Sequence, residues 1–136
     1  MNNLKGKTAI VTGGASGIGE ATALLYAEEG CNIVVSDVQE EKGNKLVEKI
    51  KQSGAKSIFV KADVSKPEDC ENLINKTVEA FGSVDIAFNN AGISGESNPV
   101  ADMSIEGGNK IIAVNLSSVF YCMKYHLMQM QKQSSG

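Results

Sequence analysis

Short apolar runs alternate along this chain with longer stretches in which apolar residues return every three or four positions. Thr8-Ala9-Ile10-Val11-Thr12 is an apolar run that ends in glycines, as a strand covered on both faces would. Gly17 to Glu29 favours helix, and Gly30 supplies the stop. Asn32 to Ser36 reads as a second strand closed by Asp37. Glu40 to Lys51, with Leu46, Val47 and Ile50 on one side, reads as an amphipathic helix ending near Gly54. Ser57 to Val60 is a third strand. Ser65 then reads as an N-cap and Pro67 as a first-turn residue. The stripe Cys70, Leu73, Ile74, Thr77, Val78 and Phe81 marks the buried face of that helix, which Gly82 ends. Val84 to Phe88 is a fourth strand running into Asn89-Asn90-Ala91-Gly92. Gly95 to Asp102 reads as loop, and Lys110 to Gln131 as a long helix, apolar on more than one face.

Four strands separated by helices imply right-handed crossovers and a parallel sheet. The fold class is therefore α/β, a Rossmann-like doubly wound sheet of expected order 3-2-1-4, with residues 1–136 forming one dinucleotide-binding domain. In such sheets ligands sit at the carboxyl ends of the strands. The glycine loop, Asp37, Asp63 and the Asn-Asn-Ala-Gly turn all fall there.

Composition narrows the partner. The 136 residues are 42% apolar and 21% charged, with net charge −3 and both signs interspersed, so no basic face for nucleic acid is expected. The 3 cysteines, Cys31, Cys70 and Cys122, form no CxxC pair and read as reduced, packed thiols rather than a disulfide frame or metal site. No apolar stretch is long enough for a signal peptide or a membrane span, and a cytoplasmic protein is expected.

Thr12-Gly13-Gly14-Ala15-Ser16-Gly17-Ile18-Gly19 follows a strand and opens a helix. Glycines there permit a tight turn and let a pyrophosphate approach the helix N-terminus, where N–H groups and the dipole favour an anion. A plain glycine-rich turn is the bland alternative. Asp37, at the tip of the second strand, can accept hydrogen bonds from both adenosine ribose hydroxyls and would repel a 2′-phosphate. No Lys or Arg lies in the loop or beside Asp37, so NAD is favoured over NADP; a solvated loop aspartate is the alternative. Asp63 could bond the adenine amine, with Val64 beside it, or could only cap the next helix. Asn89 and Asn90 can tie neighbouring loops, while Ala91-Gly92 admits a close approach of ribose.

Taken together, TGxxxGxG (12–19), Asp37, Asp63-Val64, Asn-Asn-Ala-Gly (89–92) and Val114-Asn115 resemble, in order and spacing, the short-chain dehydrogenases/reductases. The resemblance covers the whole chain. It implies an NAD-dependent oxidoreductase acting on a secondary alcohol or carbonyl. It further implies that Gly13, Ser16, Gly17, Ile18 and Gly19 line the pyrophosphate and Asp37 holds the ribose. Asp63 and Val64 would meet the adenine, and Asn90, Ala91, Gly92 and Val114 the nicotinamide-side ribose. Asn115 matches the tetrad asparagine that holds a relay water and locally distorts its helix, and no metal is implied. The family's helix faces are used in dimers and tetramers, so a homo-oligomer is expected.

Two departures accompany the resemblance. Tyr26, Tyr121 and Tyr125 are followed at +4 by Gly30, Tyr125 and Gln129, so the family's Tyr-x-x-x-Lys is absent from these residues. The expectation is the cofactor-binding half of such an enzyme, ending after the fourth strand and its helix, inactive alone and self-associating through an open strand edge or through the long helix around Phe120 and Met123. Rivals are a non-catalytic NAD-binding or partner-pairing module and a SAM-dependent methyltransferase, against which the glycine spacing and Asn-Asn-Ala-Gly argue. The second departure is Gly107-Gly108, where a helix capped by Ser104 would want Glu or Gln at 107. A frayed start is expected, which Gly107→Glu would repair, or a loop extending to Asn109. His126 reads as a surface or interface residue, and Met123, Met128 and Met130 as packing residues.

Overall fold

A computed structural model describes residues 4–136. Four parallel strands, β1 (Thr8–Thr12), β2 (Asn32–Asp37), β3 (Ser57–Lys61) and β4 (Ile86–Phe88), form one sheet of order β3-β2-β1-β4. Helices α1 (Gly17–Glu28), α2 (Glu40–Gln52) and α3 (Pro67–Phe81) make the crossovers. The expected fold and strand order hold.

Alternation along the strands sorts the core into two layers. Ala9, Val11, Ile33 and Val35 point to one face, where they meet Ala23 and Ala27 of α1 and Leu46, Val47 and Ile50 of α2. Ile10, Val34 and Val60 point to the other, against Leu73 and Ile74 of α3. Both faces are covered, which is why these strands carry no polar face. The apolar stripe of α3 is buried as its spacing requires, and Gly82 ends the helix in the left-handed region at φ 81°.

Several boundaries move. The cap of α3 is Lys66, in extended conformation, and not Ser65. Asp63 takes the Ser65 group first: its Oδ1 accepts the Ser65 N–H at 3.1 Å and hydroxyl at 2.6 Å. Strand β4 starts at Ile86, two residues later than expected, because Val84 makes its bonds elsewhere. The Gln133 side chain accepts the Val84 N–H at 3.2 Å and donates to the Val84 carbonyl at 2.7 Å. Asp85 nonetheless fixes this entry. Its N–H donates to the Thr8 carbonyl, and its carboxylate accepts the Thr8 N–H at 2.8 Å and the Ser83 hydroxyl at 3.0 Å.

Beyond β4 the chain makes a short 3-10 turn (Val100–Asp102) and then one continuous helical rod. The rod is α4 (Ile105–Ile112), a π-turn (Ala113–Ser117) and α5 (Ser118–Gln133). The loop does not extend to Asn109. Asn115 sits inside the π-turn, so the local distortion expected at that asparagine is present. Helix α5 packs on α3 through Ser118, Cys122 and His126, all buried. His126 is 2% exposed and therefore not a surface residue. Of the three methionines, Met130 packs against the core while Met123 and Met128 are exposed.

Candidate cofactor site

The site begins with the backbone of the glycine loop. Strand β1 ends at Thr12, whose hydroxyl accepts the N–H groups of Asn90 and Ala91 at 3.0 and 3.2 Å. The Asn90 amide donates back to the carbonyls of Thr12 and Gly13 at 3.1 and 3.3 Å. The turn after β1 and the turn after β4 are thus sewn together, as the paired amides suggested. Asn90 carries this tie; the buried Asn89 Oδ1 has no partner among the described residues.

Gly19 is explained by packing. A Cβ there would strike the Gly13 carbonyl and lie 2.8 Å from Asn90 Nδ2. Ala is the better helix former by about 1 kcal/mol, yet this contact is with backbone that cannot yield. Gly19→Ala is expected to lower stability by about 2 kcal/mol, the scale of overpacking, and to loosen the loop. A urea melt checks it; an unchanged or higher midpoint would show that the loop gives way freely.

Ser16 is the N-cap of α1 in extended conformation, and its side chain makes no cap bond. The first-turn N–H groups have no partner inside the helix, an arrangement that can take an anion. Across the opening stands Asp37, 8% exposed. Its Oδ2 accepts the Ala15 N–H and its Oδ1 the Gln39 N–H, both at 3.0 Å. Two charge-assisted bonds hold the carboxylate in place at the end of β2, so it is no freely solvated loop aspartate. Each oxygen retains acceptor capacity toward a ligand.

These groups share one cleft of about 460 Å³, lined by Gly13, Ser16, Asp37, Asp63, Val64, Asn90, Ala91, Gly92 and Val114. Nine of the positions singled out in the sequence are thereby brought to one wall. Gly17, Ile18 and Gly19 are not part of that lining; they form the first turn of α1, with Ile18 72% exposed. Asp63 reaches the cleft although its Oδ1 is engaged by Ser65. Val38, Gln39, Ala62, Ile93 and Lys110 also line it and were not singled out. For Lys110 a signal existed, since it precedes Val114 by one helical turn and so shares its face.

Asn115, next in the chain to the lining residue Val114, uses its whole amide on one residue. Oδ1 accepts the Ile93 N–H and Nδ2 donates to the Ile93 carbonyl, both at 2.8 Å. The π-turn presents this side chain to the loop after β4, as π-bulges often do at functional positions.

The start of α4 is not frayed, because Glu96 completes the cap from outside the helix. Ser104 Oγ accepts the Gly107 N–H at 2.9 Å. Glu96 accepts the Ser104 hydroxyl at 2.5 Å and the Ser104 N–H at 3.1 Å. Hydrogen bonds from that hydroxyl and N–H hold the Glu96 carboxyl below its ordinary range. A Cβ at Gly107 would collide with the Glu96 carboxylate and lie 3.0 Å from Ser104 Oγ. Gly107 is therefore the space in which a distant carboxylate replaces the usual one. Gly107→Glu is expected to give no gain in the native chain, contrary to the repair foreseen above. In a Glu96→Ala background the same change is expected to stabilise by about 1 kcal/mol, from propensity and a restored capping box. Urea midpoints of the four proteins decide; an equal gain in both backgrounds would remove Glu96 from the cap.

Comparison with known proteins agrees with this geometry. The family model for short chain dehydrogenases matches residues 7–136. The chain belongs to the short-chain dehydrogenase family. It is 44% identical over 126 residues to a cyclohexanol dehydrogenase of Acinetobacter sp. (strain SE19), covering 93% of this chain and 50% of that protein. It is 40% identical over 134 residues to a secoisolariciresinol dehydrogenase of Forsythia intermedia, covering 98% of this chain and 48% of that one. A crystal structure of an NAD+-bound xylitol dehydrogenase superposes with a TM-score of 0.94 at 32% identity, over 98% of this chain and 52% of that one. The chain thus spans about half the length of the relatives it matches. Family membership removes the methyltransferase reading. Among the described residues no helix is long and apolar enough to cross a membrane, and no group of three or more potential metal ligands gathers.

Proposed function

We propose that this chain holds the NAD of a short-chain dehydrogenase that interconverts a secondary alcohol and its carbonyl. The observation that carries the reading is the shared cleft, in which a fixed carboxylate faces an uncapped helix N-terminus across a glycine turn. The donor set fits a dinucleotide. In this reading Asp37 accepts the adenosine ribose hydroxyls, and Asp63 and Val64 meet the adenine. Gly13, Ser16, Gly17 and Ile18 present backbone to the pyrophosphate, with Gly19 keeping their turn closed. Asn90, Ala91, Gly92 and Val114 border the second ribose. The bound nicotinamide would supply the hydride acceptor or donor.

Asn115 acts in this reading as the residue that shapes the proton path. Its amide is spent on Ile93, so the backbone opened by the π-turn is the part left to hold a water. The 136 residues contain no Tyr-x-x-x-Lys. Proton transfer by a positioned side chain is worth about 10²–10⁴-fold, and the proposal is that these residues alone bind cofactor without turnover.

Family membership and an apolar stripe support self-association, and a cytoplasmic location is part of the proposal. Ile112, Leu116, Phe120, Met123 and Leu127 lie exposed on the outer face of the long rod, an apolar face suited to a second copy. The test is a fluorescence titration with NADH and NADPH, run beside sedimentation and an alcohol-dependent NAD reduction assay. Tighter binding of NADH without turnover is expected. Absence of binding, or equal binding of the two, would overturn the reading.

A further inference from the structure

Two of the three thiols touch. Cys70, in the first turn of α3, and Cys122, in the second turn of α5, place their sulfurs 3.6 Å apart at 1% and 2% exposure. Cys70 Sγ also lies 3.4 Å from the Val64 carbonyl. The cluster that encloses them contains Val64 and Ala91, both of which line the cleft, together with Tyr121 and Tyr125. A dithiol therefore sits directly behind the adenine-end wall, on two helices that pack against each other.

We propose that Cys70 and Cys122 are a redox site, at which hydrogen peroxide closes a disulfide joining α3 to α5 and weakens dinucleotide binding in the adjoining cleft. The second half of this proposal rests on the cofactor reading above; the first half does not. Either sulfur can react first, with the same products. The two sulfurs share one S–H···S contact in which either can donate, and Cys70 Sγ also faces the Val64 carbonyl. With Cys122 leading, Cys70 is the resolving thiol. The Cys122 thiolate attacks one peroxide oxygen, the O–O bond breaks, and the departing hydroxide leaves as water with the proton Cys122 gave up. The Cys122 sulfenic acid is then attacked by the Cys70 sulfur. The S–O bond breaks, the S–S bond forms, and the hydroxyl leaves as water with the Cys70 proton. Two thiols and one peroxide become one disulfide and two waters.

Geometry supplies both the selectivity and the consequence. A disulfide is about 2.05 Å long, so closure draws the two sulfurs together by roughly 1.5 Å. It also removes the S–H beside the Val64 carbonyl, leaving that buried acceptor short of a donor. Cys31 is an internal control. It is equally buried at 1% exposure, lies on the opposite face of the sheet, and has the Leu4 carbonyl rather than a sulfur as its partner. Peroxide is little larger than water and can enter through local openings of α5 that would exclude a peptide disulfide.

The experiment treats the folded, reduced chain with hydrogen peroxide, quenches with an alkylating agent under denaturing conditions, and maps peptides by mass. The expected result is a Cys70–Cys122 link, lighter by two hydrogens, while Cys31 remains alkylated. NADH titration of the same samples is expected to show weakening of about fivefold or more on oxidation, the lower end of measured site-to-site couplings, reversed by dithiothreitol. Cys122→Ser and Cys70→Ala are each expected to keep the reduced chain's affinity after peroxide. No link in the folded chain, or a link only when Cys31 is oxidised in step, would overturn the redox site. A link with unchanged NADH affinity would overturn its coupling to the cleft. If the reduced chain binds no NADH, the cofactor reading and the coupling fall together, while the peptide map still decides the disulfide.

Discussion

Lowering the pH from 7 to 4 is expected to remove about 3 kcal/mol of stability through His126 alone. Burial drops the pKa of His126 from 6.5 to about 4, and neither ring nitrogen has a hydrogen-bond partner among the described residues. The folded state therefore holds the neutral ring, whereas an unfolded chain takes up a proton near pH 6.5. Because the unfolded state binds more protons in this window, stability is full above pH 6.5 and falls progressively toward pH 4. At about 1.36 kcal/mol per pKa unit, the loss reaches roughly 3 kcal/mol at pH 4. At 2% exposure there is little solvent to soften it. Asp85 adds to the acid loss at lower pH: although burial opposes it, hydrogen bonds from the Thr8 N–H, Ser83 and Lys7 hold its carboxyl below its ordinary value. Urea midpoints measured at pH 7.5, 5.5 and 4 check the prediction, with His126→Leu as the comparison. The variant is expected to lose the part of the slope between pH 6.5 and 4. If both proteins lose stability equally across that range, His126 is not the group that titrates.

Asp37→Ser is expected to reduce the preference for NADH over NADPH by about tenfold or more, equivalent to about 1.4 kcal/mol. A carboxylate about 4 Å from a phosphate charge in a partly dry site repels it by several kcal/mol at an effective dielectric of about 20, and serine removes that charge. The structure adds a second consequence. Asp37 also accepts the Ala15 and Gln39 N–H groups, so serine strips two bonds that tie this position to the glycine loop and to its own turn. NADH affinity is therefore expected to fall as well. Asp37→Asn separates the two effects, because it deletes the charge but keeps one acceptor oxygen. The asparagine variant is expected to change the NADH to NADPH ratio as serine does while retaining more of the loop's stability. Titration of the three proteins with both cofactors is the measurement. An unmoved ratio in both variants would take Asp37 out of cofactor selection.

The sites of these two predictions differ in how visible they were. Asp37 was legible because its place follows from local order along the chain: an apolar run, a glycine turn, a helix and a second run ending in a carboxylate. Ala15 as its partner was not legible, since only the parallel pairing of β1 with β2 brings the two turns side by side. Glu96 was missed for a related reason. A capping box is sought three residues into a helix, and here the carboxylate arrives from the loop before it, into space left by Gly107.

The rod from α4 to α5 shows the limit most clearly. Its sequence is apolar on more than one face, and periodicity alone cannot say which face turns inward. The buried face proves to carry Ser118, Cys122 and His126, while Phe120, Met123 and Leu127 stay exposed. Packing on α3 made that choice: the Cys70 and Cys122 sulfurs meet there, and Tyr125 packs on the core that holds Leu73 and Ile74.

By itself, then, the sequence determined what is local: strand and helix periods, the glycine turn, the ends at Gly30 and Gly82, and the carboxyl-end placement of Asp37 and Asn90. Tertiary structure decided what depends on two distant segments meeting. It paired Cys70 with Cys122 across 52 positions, buried His126 without a hydrogen-bond partner among the described residues, and brought Asn115 to Ile93. Hydrophobic period is a property of one segment, whereas burial, hydrogen-bond partnership and proton affinity belong to the pair of surfaces that come into contact.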